Sequence, residues 1–77
     1  MQEDLLLAFG QTVRKIRLSK NTSQEEFVDM CDLHRTYISD VELGKRNVSL
    51  ENIGKMASAL NMRISELFQE VEHNACI

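Results

Sequence analysis

The 77-residue sequence predicts an all-α fold of five short helices, on three observations. Proline is absent and glycine occurs only three times, so the punctuation of a strand-rich fold is missing. Apolar residues recur at spacings of three and four, the period of one helix face. Helix-starting residues such as Ser23 and Ser49 and helix-stopping residues such as Gly44 and Asn61 separate these stretches.

Leu6, Phe9, Val13 and Ile16 form the apolar face of a first helix. Asp4 near its start and the basic residues Arg14 to Lys20 near its end complement the helix dipole. Asn21-Thr22 breaks the pattern. Ser23 then reads as an N-cap, and Glu26 three residues later completes a capping box. The second helix is expected from Gln24 to about Cys31, with Phe27, Val28 and Cys31 on one face. Asp32 tolerates the left-handed conformation of a tight turn, and Leu33 plugs that turn into the core. A third helix from about Arg35 to Leu43 turns Ile38 and Val41 inward and stops at Gly44. After a polar loop, Ser49 caps a fourth helix carrying Leu50, Ile53, Ala57 and Leu60, with Asn61 at its end. A fifth, from about Ile64 to Glu72, carries Leu67, Phe68 and Val71; residues 73–77 are expected to fray. Neither repeat nor linker interrupts the chain, so 1–77 reads as one domain.

Composition narrows the function classes. No apolar run approaches the roughly 18 to 20 residues of a membrane span. Met1 to Asp4 carries two acids and no base, unlike a secretory signal. Two cysteines make no disulfide framework, so a reducing cytoplasm is the expected compartment. Nine Lys+Arg against twelve Asp+Glu give a net charge of -3, which taken alone argues against nucleic acid. The placement of charge says otherwise. Arg14, Lys15, Arg17 and Lys20 form one basic group, and Arg35, Lys45 and Arg46 a second, while most acids lie elsewhere.

Helices two and three, joined by a three- or four-residue turn, have helix-turn-helix spacing. Ser23-Gln24-Glu25-Glu26-Phe27, Leu33 to Ser39 and Glu42-Leu43-Gly44-Lys45-Arg46-Asn47 closely resemble the phage-repressor (XRE, Cro-like) helix-turn-helix family. Val13 to Arg17 and Ser65-Glu66-Leu67-Phe68 extend the resemblance over about Phe9 to Phe68. Within that family, Arg35 to Ser39 and Gly44 to Ser49 look most like the controller proteins of restriction–modification systems. The resemblance implies a compact five-helix, lambda-repressor-like domain with its helix-turn-helix at about 23–43. It also implies a homodimeric transcription regulator of its own promoter that reads a palindromic double-stranded operator. RNA polymerase is a further candidate partner. A phage-type repressor and an antitoxin-like protein-binding module are the alternatives.

A recognition helix entering the major groove reads bases through its first exposed side chains. Arg35 suits guanine O6 and N7, and Thr36 suits a thymine methyl, with Ser39 one turn on. Tyr37 is read as a base or phosphate contact, or as a packing residue. Lys45, Arg46 and Asn47 are expected to grip phosphates, as are Ser23 and the first turn of helix two. By the resemblance, Gln24 anchors a phosphate and braces the recognition helix, and Arg17 pairs with Glu42. Lys15 and Lys20 are read equally as phosphate contacts or as a solvated face. Asp40 is expected to be solvent-exposed, although it could accept from cytosine N4. Departures from the family pattern are His34 at the recognition-helix N-cap, Asp32 for the turn glycine and Val28 for a common alanine.

With no second domain, dimer contacts are expected from helices four and five, with Met56, Met62, Phe68 and Val71 as candidates. The alternative is that such residues, Ile64 and Phe68 foremost, complete the monomer core. Cys31-x-x-His34 and His73-x-x-Cys76 have metal-ligand spacing, but the inward placement of Cys31 favours free thiols and no metal. No nucleophile–base constellation or phosphate-cradling glycine loop is present, so neither enzymatic activity nor a cofactor is expected.

Overall fold

The computed structural model describes the backbone of residues 2–75 and the side chains of residues 5–74. Within it the chain forms α1 (Gln2–Ser19), α2 (Gln24–Cys31), α3 (Arg35–Glu42), α4 (Leu50–Ala59) and α5 (Ile64–Ala75). Local chemistry sets the breaks. Asn21, Asp32 and Asn61 adopt left-handed backbone at φ 55°, 57° and 57°, conformations that Asn and Asp tolerate better than other side-chain-bearing residues. At α2 the Ser23 hydroxyl accepts from Glu26 N at 3.0 Å, and the Glu26 carboxylate accepts from Ser23 N at 2.8 Å. The Ser49 hydroxyl caps α4 by accepting from Asn52 N at 3.1 Å. His34 holds the N-cap position of α3 without a side-chain capping bond. After α3 the chain turns at Gly44, φ 74°, where a side chain would strike Leu7 of α1.

α1 packs on α3 and α5, α2 on α3 and α4, and α4 on α5. Phe27, Ile38, Met56, Leu60, Leu67 and Val71 are among the fully buried side chains. Each contributes on the order of 1.5–3 kcal/mol relative to exposure. Leu33, in the turn between α2 and α3, packs against this core, as does Val28. Gly10 lets α1 approach α3 closely, because a Cβ there would collide with the Val41 carbonyl.

Three expectations change. Met56 and Val71 offer no surface to a second chain: both are fully buried and complete the monomer core. Ile64, in contrast, is 43% exposed, because α5 turns Leu67 and Val71 inward and leaves its first residue at the rim. Met62 and Phe68 are half-buried against the core, with the Phe68 ring 5.8 Å from that of Phe9. Finally, α5 does not fray at His73 but continues to Ala75, and Asn74 Nδ2 donates to the buried Thr12 hydroxyl of α1 at 2.8 Å. Residues 76 and 77, with Cys76 of the second metal-spaced pair, lie outside the described residues. Cys31 of the first pair is a free thiol inside the core. Burial pushes that thiol up to about 11.

Candidate nucleic-acid interface

The presentation of α3 depends on a buried polar clamp behind it. Arg17 of α1 meets Glu42 of α3 through two hydrogen bonds, Nε to Oε2 at 2.8 Å and Nη2 to Oε1 at 3.0 Å. The third guanidinium nitrogen, Nη1, donates to the Thr22 carbonyl at 2.9 Å, closing the α1–α2 turn onto the same group. Gln24 Nε2 at the start of α2 donates to Glu42 Oε1 at 3.3 Å. One carboxylate therefore ties α1, α2 and α3 together. Arg17 and Glu42 are only 6% and 5% exposed, so the fork geometry satisfies two charges that would otherwise be costly to bury.

This arrangement turns Ile38 and Val41 into the core and leaves the other side of α3 in solvent. Arg35 and Thr36 are exposed, and Tyr37, Ser39 and Asp40 half-buried. Lys45, Arg46 and Asn47 follow in an exposed loop. Arg35, Thr36 and Ser39 thus share one accessible helix with a basic loop at its end. At the other edge, Ser23 is exposed at the α2 N-terminus. Its hydroxyl is engaged in the capping box, accepting from Glu26 N and donating to the Glu26 carboxylate. Gln24, half-buried, gives one amide N–H to Glu42 and keeps the second. Glu25 and Glu26 crowd the same turn with negative charge. Glu26 is held below the usual carboxylate range by its bonds from the Ser23 backbone and hydroxyl.

Tyr37 is fixed on both sides. Its hydroxyl accepts from Asn52 Nδ2 of α4 at 3.0 Å, and the Arg46 guanidinium lies 5.0 Å from the centre of its ring. Arg46 also donates to Asp40 Oδ2 at 3.3 Å, so Asp40 is a half-buried ion-pair partner and not the free, solvent-exposed acid expected from the sequence. Arg35 stands 3.5 Å from Glu25 of α2. Sequence reasoning missed Asn52, for which no local signal exists, because it meets Tyr37 only once the fold brings the start of α4 beside α3. Arg14, Lys15 and Lys20 are exposed on or just after α1, and none of them takes part in a described ion pair.

Together, the two short helices about a left-handed turn, the clamp behind them and the exposed face of α3 define a helix-turn-helix protein. A helix-turn-helix family model matches residues 13–67, and the chain belongs to that family. Within it, the chain is similar to Control protein C.BamHI of Bacillus amyloliquefaciens, 57% identical over 68 residues, covering 87% of this chain and 84% of that protein. Among solved structures it is similar to the restriction-modification controller protein C.AhdI from Aeromonas hydrophila, with TM-score 0.79 and 48% identity over 82% of this chain and 96% of that one. The controller protein C.Esp1396I, solved as a tetramer in complex with its natural 35 base-pair operator, aligns with TM-score 0.87 and 27% identity, covering 95% of this chain and 96% of that one.

Proposed function

We propose that the chain is a sequence-specific, double-stranded-DNA-binding transcription regulator of the restriction–modification controller type. It acts as a homodimer in the cytoplasm on a palindromic operator at its own promoter, and it is not an enzyme. The observation that carries this reading is the solvent-facing side of α3, held in place by the Arg17–Glu42 fork. The operator complex of C.Esp1396I, which aligns over 95% of this chain, supports it.

Arg35, Thr36 and Ser39 read base edges, with Arg35 directed to guanine O6 and N7, and Tyr37 contacts a base from its place between Asn52 and Arg46. Ser23, Gln24, Lys45, Arg46 and Asn47 position the backbone. A single helix-turn-helix spans one half-site. Two copies about a dyad read half-sites roughly 34 Å apart. The dimer surface lies on α4 and α5, where Leu50 and Ile64 are exposed and an open depression of about 370 Å³ is lined by Met62 and Ile64 beside the polar Asn61, Arg63 and Glu66.

The test is a mobility-shift titration on DNA from upstream of the chain's own gene against an unrelated duplex, at several salt concentrations. Tighter binding to the upstream DNA is expected. Equal affinity for both duplexes at every salt concentration would refute sequence-specific regulation.

A further inference from the structure

Arg35 and Arg46, the arginines of the reading surface, each stand beside a carboxylate, but the two pairs differ in kind. Arg46 and Asp40 sit at the end of α3, with Arg46 also over the Tyr37 ring. Arg35, at the first turn of α3, is paired across the helix-turn-helix with Glu25 of α2, 3.5 Å from Nη1 to Oε1. Those two side chains are 70% and 75% exposed, so the pair does little for the fold. The capping box of α2 uses Glu26, not Glu25. Glu25 thus takes no part in the capping bonds and adds only its charge to the first turn of α2, yet it places that negative charge on a surface proposed to meet phosphates.

We infer that Glu25 is a specificity-determining residue that restrains Arg35 and penalises its use on a phosphate; the inference rests on the DNA-binding reading above. A guanidinium carries five N–H donors in a planar fork. Directed into the groove, Arg35 can give two hydrogen bonds to guanine and still keep Glu25 beside it. Swung onto a phosphate of an arbitrary duplex, it abandons Glu25, which is then left unpaired in the negative potential of the backbone. Non-specific binding draws on just such phosphate contacts, so the carboxylate weakens non-cognate binding more than cognate binding. Glu25 does this without touching DNA: it is a positioning residue. Asp40 makes a useful contrast, because Arg46 meets phosphate in both kinds of complex and losing its partner affects both alike.

The experiment compares the unsubstituted protein, Glu25→Gln, Glu25→Ala and Asp40→Asn by fluorescence anisotropy, on the upstream DNA and on an unrelated duplex of equal length across a salt series. For both Glu25 variants, affinity for the unrelated duplex should rise by up to about fivefold, the upper end for one exposed ion pair, with little change on the upstream DNA. Their non-cognate salt slope should steepen by up to about 1, for one more phosphate contact. Asp40→Asn should strengthen both bindings equally. Equal thermal midpoints would place any change on the DNA-bound state. An unchanged ratio of the two affinities in both Glu25 variants would overturn the inference, as would weakened operator binding with unchanged non-cognate binding. If the unsubstituted protein itself fails to distinguish the two duplexes, the proposed function falls, and this inference with it.

Discussion

Arg17 and Glu42, separated by 25 residues in the chain, meet in a two-bond fork of 2.8 and 3.0 Å inside the domain. The fork is almost wholly buried and is not itself a DNA contact. Its consequence is geometric: with Gln24 and the Thr22 carbonyl on the same two groups, it sets the pitch of α3 relative to α1 and α2. The proposed recognition by Arg35 would depend on that pitch, since a bidentate contact to a base edge has little angular tolerance.

Removing either member should therefore destabilise the domain strongly. Arg17→Ala or Glu42→Ala leaves a buried charge without its partner and is expected to cost roughly 3–5 kcal/mol. Arg17→Lys keeps the charge but loses the fork, so it should fall between these variants and the unsubstituted protein. Urea denaturation followed by circular dichroism checks the order, and equal midpoints for Arg17→Lys and the unsubstituted protein would refute the geometric role.

On the surface, the two arginines should separate by phenotype. Arg35→Ala is expected to lose about 1–3 kcal/mol of discrimination between operator and unrelated DNA. Arg46→Ala should weaken binding to both and reduce the salt slope by about 1. The same salt series reads both effects.

For the proposed dimer surface, Ile64→Asp places a charge on the exposed rim of α5 without opening the core. Sedimentation velocity should show monomer at concentrations where the unsubstituted chain is a dimer, with the helical spectrum retained. An unaltered dimer would move the interface elsewhere.

The α2 capping box gives a pH signature. Glu26 has a folded pKa below its ordinary 4.5, because the Ser23 N–H and hydroxyl favour its charged form. The stabilisation is thus fully present above the unfolded pKa and lost as pH falls through the lower folded value. Glu26→Gln should consequently be less stable than the unsubstituted protein at neutral pH, and the gap should close as pH drops below about 4.5. Thermal unfolding at a series of pH values measures it.

Cys31 should resist alkylation. Its thiol is buried and raised to about 11, so little thiolate forms at neutral pH. In a Cys76→Ser background, iodoacetamide labelling should proceed only as fast as the domain opens, and should accelerate in urea. Prompt labelling in native buffer would contradict the burial of this side chain.

The helix order, the capping box at Ser23 and Glu26, and the left-handed turn at Asp32 were legible because each depends on residues within a turn or two of one another. So was the accessible side of α3, since Ile38 and Val41 mark its inward face by spacing alone. Tertiary structure decided which surplus apolar residues are core. Met56 and Val71 are buried while Ile64 is exposed, a distinction set by the angle at which α4 and α5 meet the bundle. It also decided the partners of polar side chains: Asn52 with Tyr37, Asp40 with Arg46, Glu25 with Arg35, and Asn74 with Thr12. A periodic pattern says which way a side chain points but not what stands opposite, because that depends on the rotation and offset of a second helix. Those two quantities are settled only when all the apolar faces close on one core.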